Sequence, residues 1–181
     1  MATQPAVINK REDVLKKIGE IYPLLLNEDK KIAESLHELA LEWNLKIGIM
    51  HIRNNSNNTE TKLDVVYSAK KPFVRSIFMF KIHVDNIKGN AALKVKHKFS
   101  NIDVYRAIVE ACPNNIKDLI KNIKTCTKCH PACKQERVFT LDGVKYNSCP
   151  AGTKSYENLT SDEWNIIRNL VIEEYKAHSA L

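Results

Sequence analysis

The chain has 181 residues, 44% hydrophobic and 27% charged, with a formal net charge of +7. That composition is globular, and a chain of this length buries roughly 70% of its unfolded surface, so it needs no disulfide staples. No apolar stretch of signal-peptide length follows Met1, since the sequence turns polar at Asn9-Lys10-Arg11-Glu12-Asp13, and no apolar run approaches the ~20 residues of a membrane helix. A signal peptide and a membrane span are therefore not expected, and the chain is read as soluble and cytoplasmic. In a reducing compartment, clustered cysteines point to metal or redox chemistry before disulfides.

The positive charge is local. Between Lys70 and Lys98 eight basic residues (Lys70, Lys71, Arg75, Lys81, Lys88, Lys94, Lys96, Lys98) face Asp85 alone, while the remainder of the chain carries 20 basic and 20 acidic residues. A basic excess held in one segment points to an anionic partner, against the plainer reading of lysines solvating one sheet face.

In chain order, residues 1–10 are expected to fray. Val14, Leu15, Ile18, Ile21 and Tyr22 recur at helical spacing over Arg11–Tyr22, and Pro23 ends that helix. Asn27 caps a second helix with Glu28 and Asp29 in its first turn, and Ile32, Ala33, Leu36, Leu39, Ala40 and Trp43 form its stripe. His37, beside that stripe, reads as structural or exposed rather than as a ligand.

The period then changes to two. Leu45, Ile47 and Ile49 alternate, then Met50 and Ile52 take the other phase, as a bulge or a two-sided strand would. The polar turn 54–59 leads to a strand with Leu63, Val65, Val66 and Tyr67, and Phe73–Val84 is the clearest strand. One of its faces carries Val74, Phe78, Phe80, Ile82 and Val84; the other carries Phe73, Arg75, Ile77, Met79, Lys81 and His83. Leu93, Val95, His97 and Phe99 then alternate with Lys94, Lys96 and Lys98. These four strands predict an antiparallel meander with one face packed on helices.

Ser100 with Asp103 resembles a capping box for a helix carrying Val104, Ile108 and Cys112, and Asn114 for one carrying Ile116, Leu119, Ile120 and Ile123. Cys112, on its stripe, reads as a small buried hydrophobe. Thr160-Ser161-Asp162-Glu163 starts an amphipathic C-terminal helix with Trp164, Ile167, Leu170, Val171 and Tyr175.

Cys126, Cys129, Cys133 and Cys149 are spaced C-x2-C-x3-C-x15-C. A C-x2-C turn aims two thiolates at one centre, and zinc takes four ligands tetrahedrally. The Asp142-Gly143 hairpin signal, between Val138–Leu141 and Val144–Asn147, would bring Cys149 back to close the site. His130 is the alternative to Cys133, but it adjoins Cys129 and the geometry would strain. Four thiolates leave no open position, so the site is read as structural zinc, with an iron–sulfur cluster as the alternative and free thiols after that. Lys124, Lys128, Lys134 and Arg137 would offset its charge of about −2. The cysteine hairpin resembles zinc knuckles in general, which serve many functions.

The expected architecture is α+β: two N-terminal helices, a four-stranded antiparallel meander, two further helices, a Cys-rich zinc-type β-hairpin and a C-terminal amphipathic helix. The expected division is a core over 1–124, the metal hairpin over 125–150, and the C-terminal helix, 151–181, packing on the core. No glycine-rich phosphate loop, dinucleotide fingerprint or hydrolase or kinase motif occurs, so the reading leans away from an enzyme without excluding one assembled from distant residues. Three functions compete. The first is a ligand-binding or regulatory module taking an anionic small molecule on Arg75, Lys81, His83, Lys94 and Lys96. The second is nucleic-acid binding on the same face, with Phe73 its one aromatic. The third is an enzyme centred on His83 or His97.

Overall fold

In a computed structural model of the chain, the residues described are 7–8, 22–25, 27–53, 60–68, 79–87, 90–97, 99–122, 137–148 and 154–179. The architecture is mixed helix and strand, as the periodicities require, and it divides into two compact units. One comprises Met1–Lys96 with Ser155–Ser161; the other comprises His97–Lys154 with Asp162–Leu181.

The first unit is built on a sheet of strands β1 (Val7–Ile8), β2 (Lys46–Arg53), β3 (Glu60–Ser68), β4 (Met79–Ile87), β5 (Asn90–His97) and β8 (Lys154–Glu157), in that spatial order. The sheet is thus larger than the four strands expected, because β1 and β8 extend it at its two edges. β8 escapes the sequence reading since Lys154-Ser155-Tyr156-Glu157 is short and carries one apolar residue, Tyr156, which is buried. The phase slip in β2 is not a bulge: its pairing with β3 runs residue by residue from Lys46↔Ser68 to Arg53↔Thr61. The strand is two-sided instead. The expected helix over Arg11–Tyr22 lies outside the described residues apart from Tyr22, which opens a 3₁₀ turn, Tyr22–Leu24.

Helix α1 (Asn27–Glu42) buries Ile32, Ala33, Leu36, Leu39 and Ala40, the stripe its sequence predicts. It ends in a Schellman motif. Asn44 takes the left-handed conformation (φ 50°), its N–H donates to Leu41 O at 3.0 Å, and Leu45 N–H donates to Ala40 O at 2.8 Å. Leu45 is buried as the chain enters β2.

α1 covers one face of the sheet. Val65 and Tyr67 of β3 are buried there, and Tyr67 meets α1 through His37. Ile47 and Phe80 are the register partners of Tyr67, and Ile49 and Ile82 those of Val65. On β5, Leu93 and Val95 are buried, while Lys94 and Lys96 alternate with them.

The second unit contains a 3₁₀ turn (Ile102–Val104), α2 (Arg106–Glu110), α3 (Asn114–Lys121), the hairpin β6 (Arg137–Leu141) and β7 (Val144–Ser148), and nearly all of α4 (Ser161–Ser179). The expected helix with Val104, Ile108 and Cys112 as its inner stripe is corrected here. Val104 is 70% and Ile108 44% exposed; Ile102, Tyr105 and Val109 are buried in their place. The supposed capping box explains the rotation. Asp103 gives its carboxylate to Arg106 (2.8 Å) and to the Thr140 N–H (3.2 Å), and the Ser100 N–H goes to Glu174, so neither caps a continuous helix. Cys112 is half-buried, its Sγ donating to Ile108 O at 3.2 Å. α3 has Pro113, not Asn114, at its N-cap, and it buries Ile116 and Ile120.

Candidate functional site

Of the residues singled out in the sequence, Cys126, Cys129, Cys133, Cys149, His130 and Arg75 lie outside the described residues. Among the described residues no three His, Cys, Asp or Glu side chains are grouped to hold a metal ion. The hairpin between the cysteines is formed. β6 and β7 pair from Arg137↔Ser148 to Leu141↔Val144, closed by Asp142 (φ 50°) and Gly143 (φ 74°). Two consecutive positive φ values are those of a type I′ turn, whose twist matches the strands and which an Asp-Gly pair supplies at low cost.

The tip of that hairpin is tied down. Asp142 takes Lys121 Nζ at 2.9 Å and Lys117 Nζ at 3.6 Å, both from α3. Its own N–H donates to Glu110 at 3.1 Å. Hydrogen bonding to Lys121 heads the causes that hold the Asp142 carboxyl below its ordinary range. Leu141 and Phe139 are buried, and Phe139 stacks on Tyr146 with ring centroids 5.3 Å apart.

The register of the large sheet places the basic residues. Lys81 pairs across from Val66 and His83 from Asp64. The alternation of β5 puts Lys94 and Lys96 on the side away from buried Leu93 and Val95. The pairing also sets acids of neighbouring strands against basic residues in register. Asp64 lies opposite His83 and Asp85 opposite Lys62. Lys94 is held by Glu157 of β8 at 3.0 Å. Lys96 makes no ion pair with a described residue. The signal for these neighbours was the antiparallel pairing itself, which sets acids of one strand beside bases of the next.

A second constellation is buried under α1. Tyr22 OH donates to Ala33 O (3.1 Å) and lies 3.4 Å from Tyr67 OH; His37 Nδ1 lies 3.2 Å from Tyr67 OH. Burial pushes the Tyr22 phenol up to about 12 against the opposing Tyr67 bond, and raises Tyr67 still more clearly. Burial lowers His37, with Glu38 opposing.

The third constellation, in the second unit, was not foreseen. Glu174 is fully buried. Its Oε1 accepts from the Ser100 N–H (2.8 Å), Asn101 Nδ2 (3.1 Å) and His178 Nε2 (3.0 Å); its Oε2 accepts from the Asn101 N–H (3.1 Å) and Tyr105 OH (2.6 Å). Burial alone would raise this carboxyl, but the bonds from His178, Tyr105, Asn101 and Ser100 outweigh it and hold it below its ordinary value. His97 is fully buried and stacks flat on Phe99 with centroids 4.6 Å apart. Burial lowers it to about 4; the Glu174 charge pulls the other way and His178 adds to the lowering. His97 is thus enclosed, and burial favours its neutral form. Glu174 and His178 were findable, because they continue the spacing of Trp164, Ile167, Leu170 and Val171 along the buried face of α4.

The chain matches no protein-family model, no curated protein and no solved structure in these comparisons. No described helix is long and apolar enough to cross a membrane.

Proposed function

We propose that the chain is a ligand-binding or regulatory module in which Cys126, Cys129, Cys133 and Cys149 hold a structural zinc ion. Its ligand is an anion with an apolar body, taken on the sheet face of Arg75, Lys81, His83, Lys94 and Lys96. What supports the ligand reading is the register of β3 with β4, in which Lys81 and His83 pair with Val66 and Asp64, out of phase with buried Val65 and Tyr67. Lys94 and Lys96 alternate with buried residues of β5. Lysines beside Val66 and Met79 combine charge with apolar surface, as small-molecule sites do. The acids set opposite His83 and Lys62 narrow the field to a compact anion. A nucleic acid would need a longer uncompensated stripe.

The zinc reading is supported by the β6–β7 register. That hairpin forms in the stretch of chain between Cys133 and Cys149, as the reading asks. Four thiolates would bind the ion and leave no position for substrate, so the site would contribute stability and not chemistry.

Two measurements test this. Elemental analysis of protein purified without added metal is expected to give about one zinc per chain, lost in Cys149→Ser; iron would point to the cluster alternative. Titration with dodecyl phosphate and with a single-stranded oligonucleotide is expected to show the first binding, weakened at least several-fold in a Lys81→Ala/Lys96→Ala variant. Tight oligonucleotide binding with a steep salt slope would replace this reading by the nucleic-acid one.

A further inference from the structure

The far half of α4 is fastened to the turn ahead of α2 by one side chain. All five partners of Glu174 are donors, and none of these contacts offers it an acceptor. The arrangement suits the ionised carboxylate: a proton on either oxygen turns an acceptor into a donor, and at least one of these donated bonds is lost. His178 closes the ring. With Nε2–H given to Glu174, its Nδ1 accepts from the Asn101 amide at 3.3 Å. His97 completes the cluster, and the described charges that reach it are Glu174 and His178, both of α4. Tyr105, from the turn, is the remaining titratable group and is committed to Glu174.

We propose that this cluster is an acid-released latch: taking up protons at His97 and Glu174 frees the last turns of α4 from residues 99–105 while the sheet keeps its fold. Each proton arrives where it cannot be accommodated. On His97 it places a cation in a fully buried ring; on Glu174 it removes an acceptor on which five donors depend. Both groups resist protonation in the closed state, so the open state gains relative to the closed one as pH falls. Among the described residues of the sheet unit, the most enclosed titratable groups are the phenols of Tyr22 and Tyr67, which acid does not titrate, while His37 and Asp29 are only part-buried. Opening would expose the inner side of α4, where Leu170, Val171 and Ala177 are now buried. Acid would thereby convert a closed surface into an apolar one, a regulatory event rather than a chemical one.

The test is amide hydrogen exchange on the full chain from pH 7.5 to 4, corrected for the intrinsic pH dependence of exchange. Peptides over 99–105 and 170–179 are expected to lose protection at a higher pH than those over 46–53 and 60–68. In His97→Phe, which can keep the stack on Phe99, the release is expected about one pH unit lower. Simultaneous loss in all four peptides, or an unchanged midpoint in His97→Phe, would overturn the latch. Should that variant not fold, the side-chain nitrogen signals of His97 in the unaltered chain decide. Charging of His97 with no loss of protection at 170–179 overturns the proposal equally, and coincidence of the two events supports it.

Discussion

The two units bury polar groups in opposite ways. Under α1 the interior holds two phenols and a half-buried imidazole in a file, all neutral at pH 7. Around α4 it holds a carboxylate saturated by five donors, with two histidines beside it. A neutral network loses about one hydrogen bond when a member is removed, whereas an ionised one strands every donor that converged on the charge. The comparison teaches that similar burial can be robust in one unit and brittle in the other, according to where the charge sits.

The widest gap is expected from Glu174→Leu. It strands the N–H groups of Ser100 and Asn101 and the Tyr105 hydroxyl, and should cost about 3–5 kcal/mol in urea unfolding. A cost near that of Tyr67→Phe would erase the contrast. Next comes pH. His97 sits near 4 in the folded chain against 6.5 unfolded. As pH falls, the unfolded chain therefore binds the proton first. The stability contribution is complete above about pH 6.5 and is lost progressively down to about 4, some 3 kcal/mol in all. The lowered Glu174 acts in the same direction at lower pH, its contribution falling away as the carboxylate is protonated. Lowering the pH from 7.5 to 4.5 should therefore cost the parent more stability in urea than it costs His97→Phe, so the difference between the two midpoints shifts in the variant's favour. Tyr67→Phe should cost only about 1–2 kcal/mol, with no pH dependence between 5 and 8. Smallest is Glu157→Gln on the half-exposed pair with Lys94, expected to cost less than about 1 kcal/mol. Its use is as a sharpener: with Lys94 released, affinity for dodecyl phosphate should rise, and a fall would show that Glu157 positions the lysine rather than competing for it.

Elements whose burial follows their own local period were legible in the sequence. Ile32, Ala33, Leu36, Leu39 and Ala40 of α1, Trp164, Ile167, Leu170 and Val171 of α4, and the Asp142-Gly143 hairpin were read from spacing and turn chemistry alone, although Trp43 and Tyr175, read with those stripes, are only part-buried. Legibility failed where a distant partner reassigns a local group. Asp103 had the look of a cap until Thr140, 37 residues on, claimed its carboxylate. With that, Val104 and Ile108 turned outward. β8 was hidden because four polar-rich residues become a strand only when β5 supplies the ladder. Glu174 was hidden by its neighbour, since Glu173-Glu174 reads as a solvated acidic pair although Glu173 alone faces Lys176 at the surface. The basic face was half legible: its lysines were visible, but Asp64 and Glu157 arrive from strands adjacent in space and remote in sequence.

The file of groups under α1 fixes something further about His37. Tyr22 spends its proton on Ala33 O, so the Tyr22–Tyr67 contact runs from Tyr67, and the His37–Tyr67 contact then runs from His37. The imidazole is thereby held as the Nδ1–H tautomer, with the lone pair on Nε2. A side chain that looks like an ordinary helix-surface histidine is thus chemically one-sided: its basic nitrogen is the one directed away from the protein's own hydroxyls, and protonation there would leave every bond of the file in place.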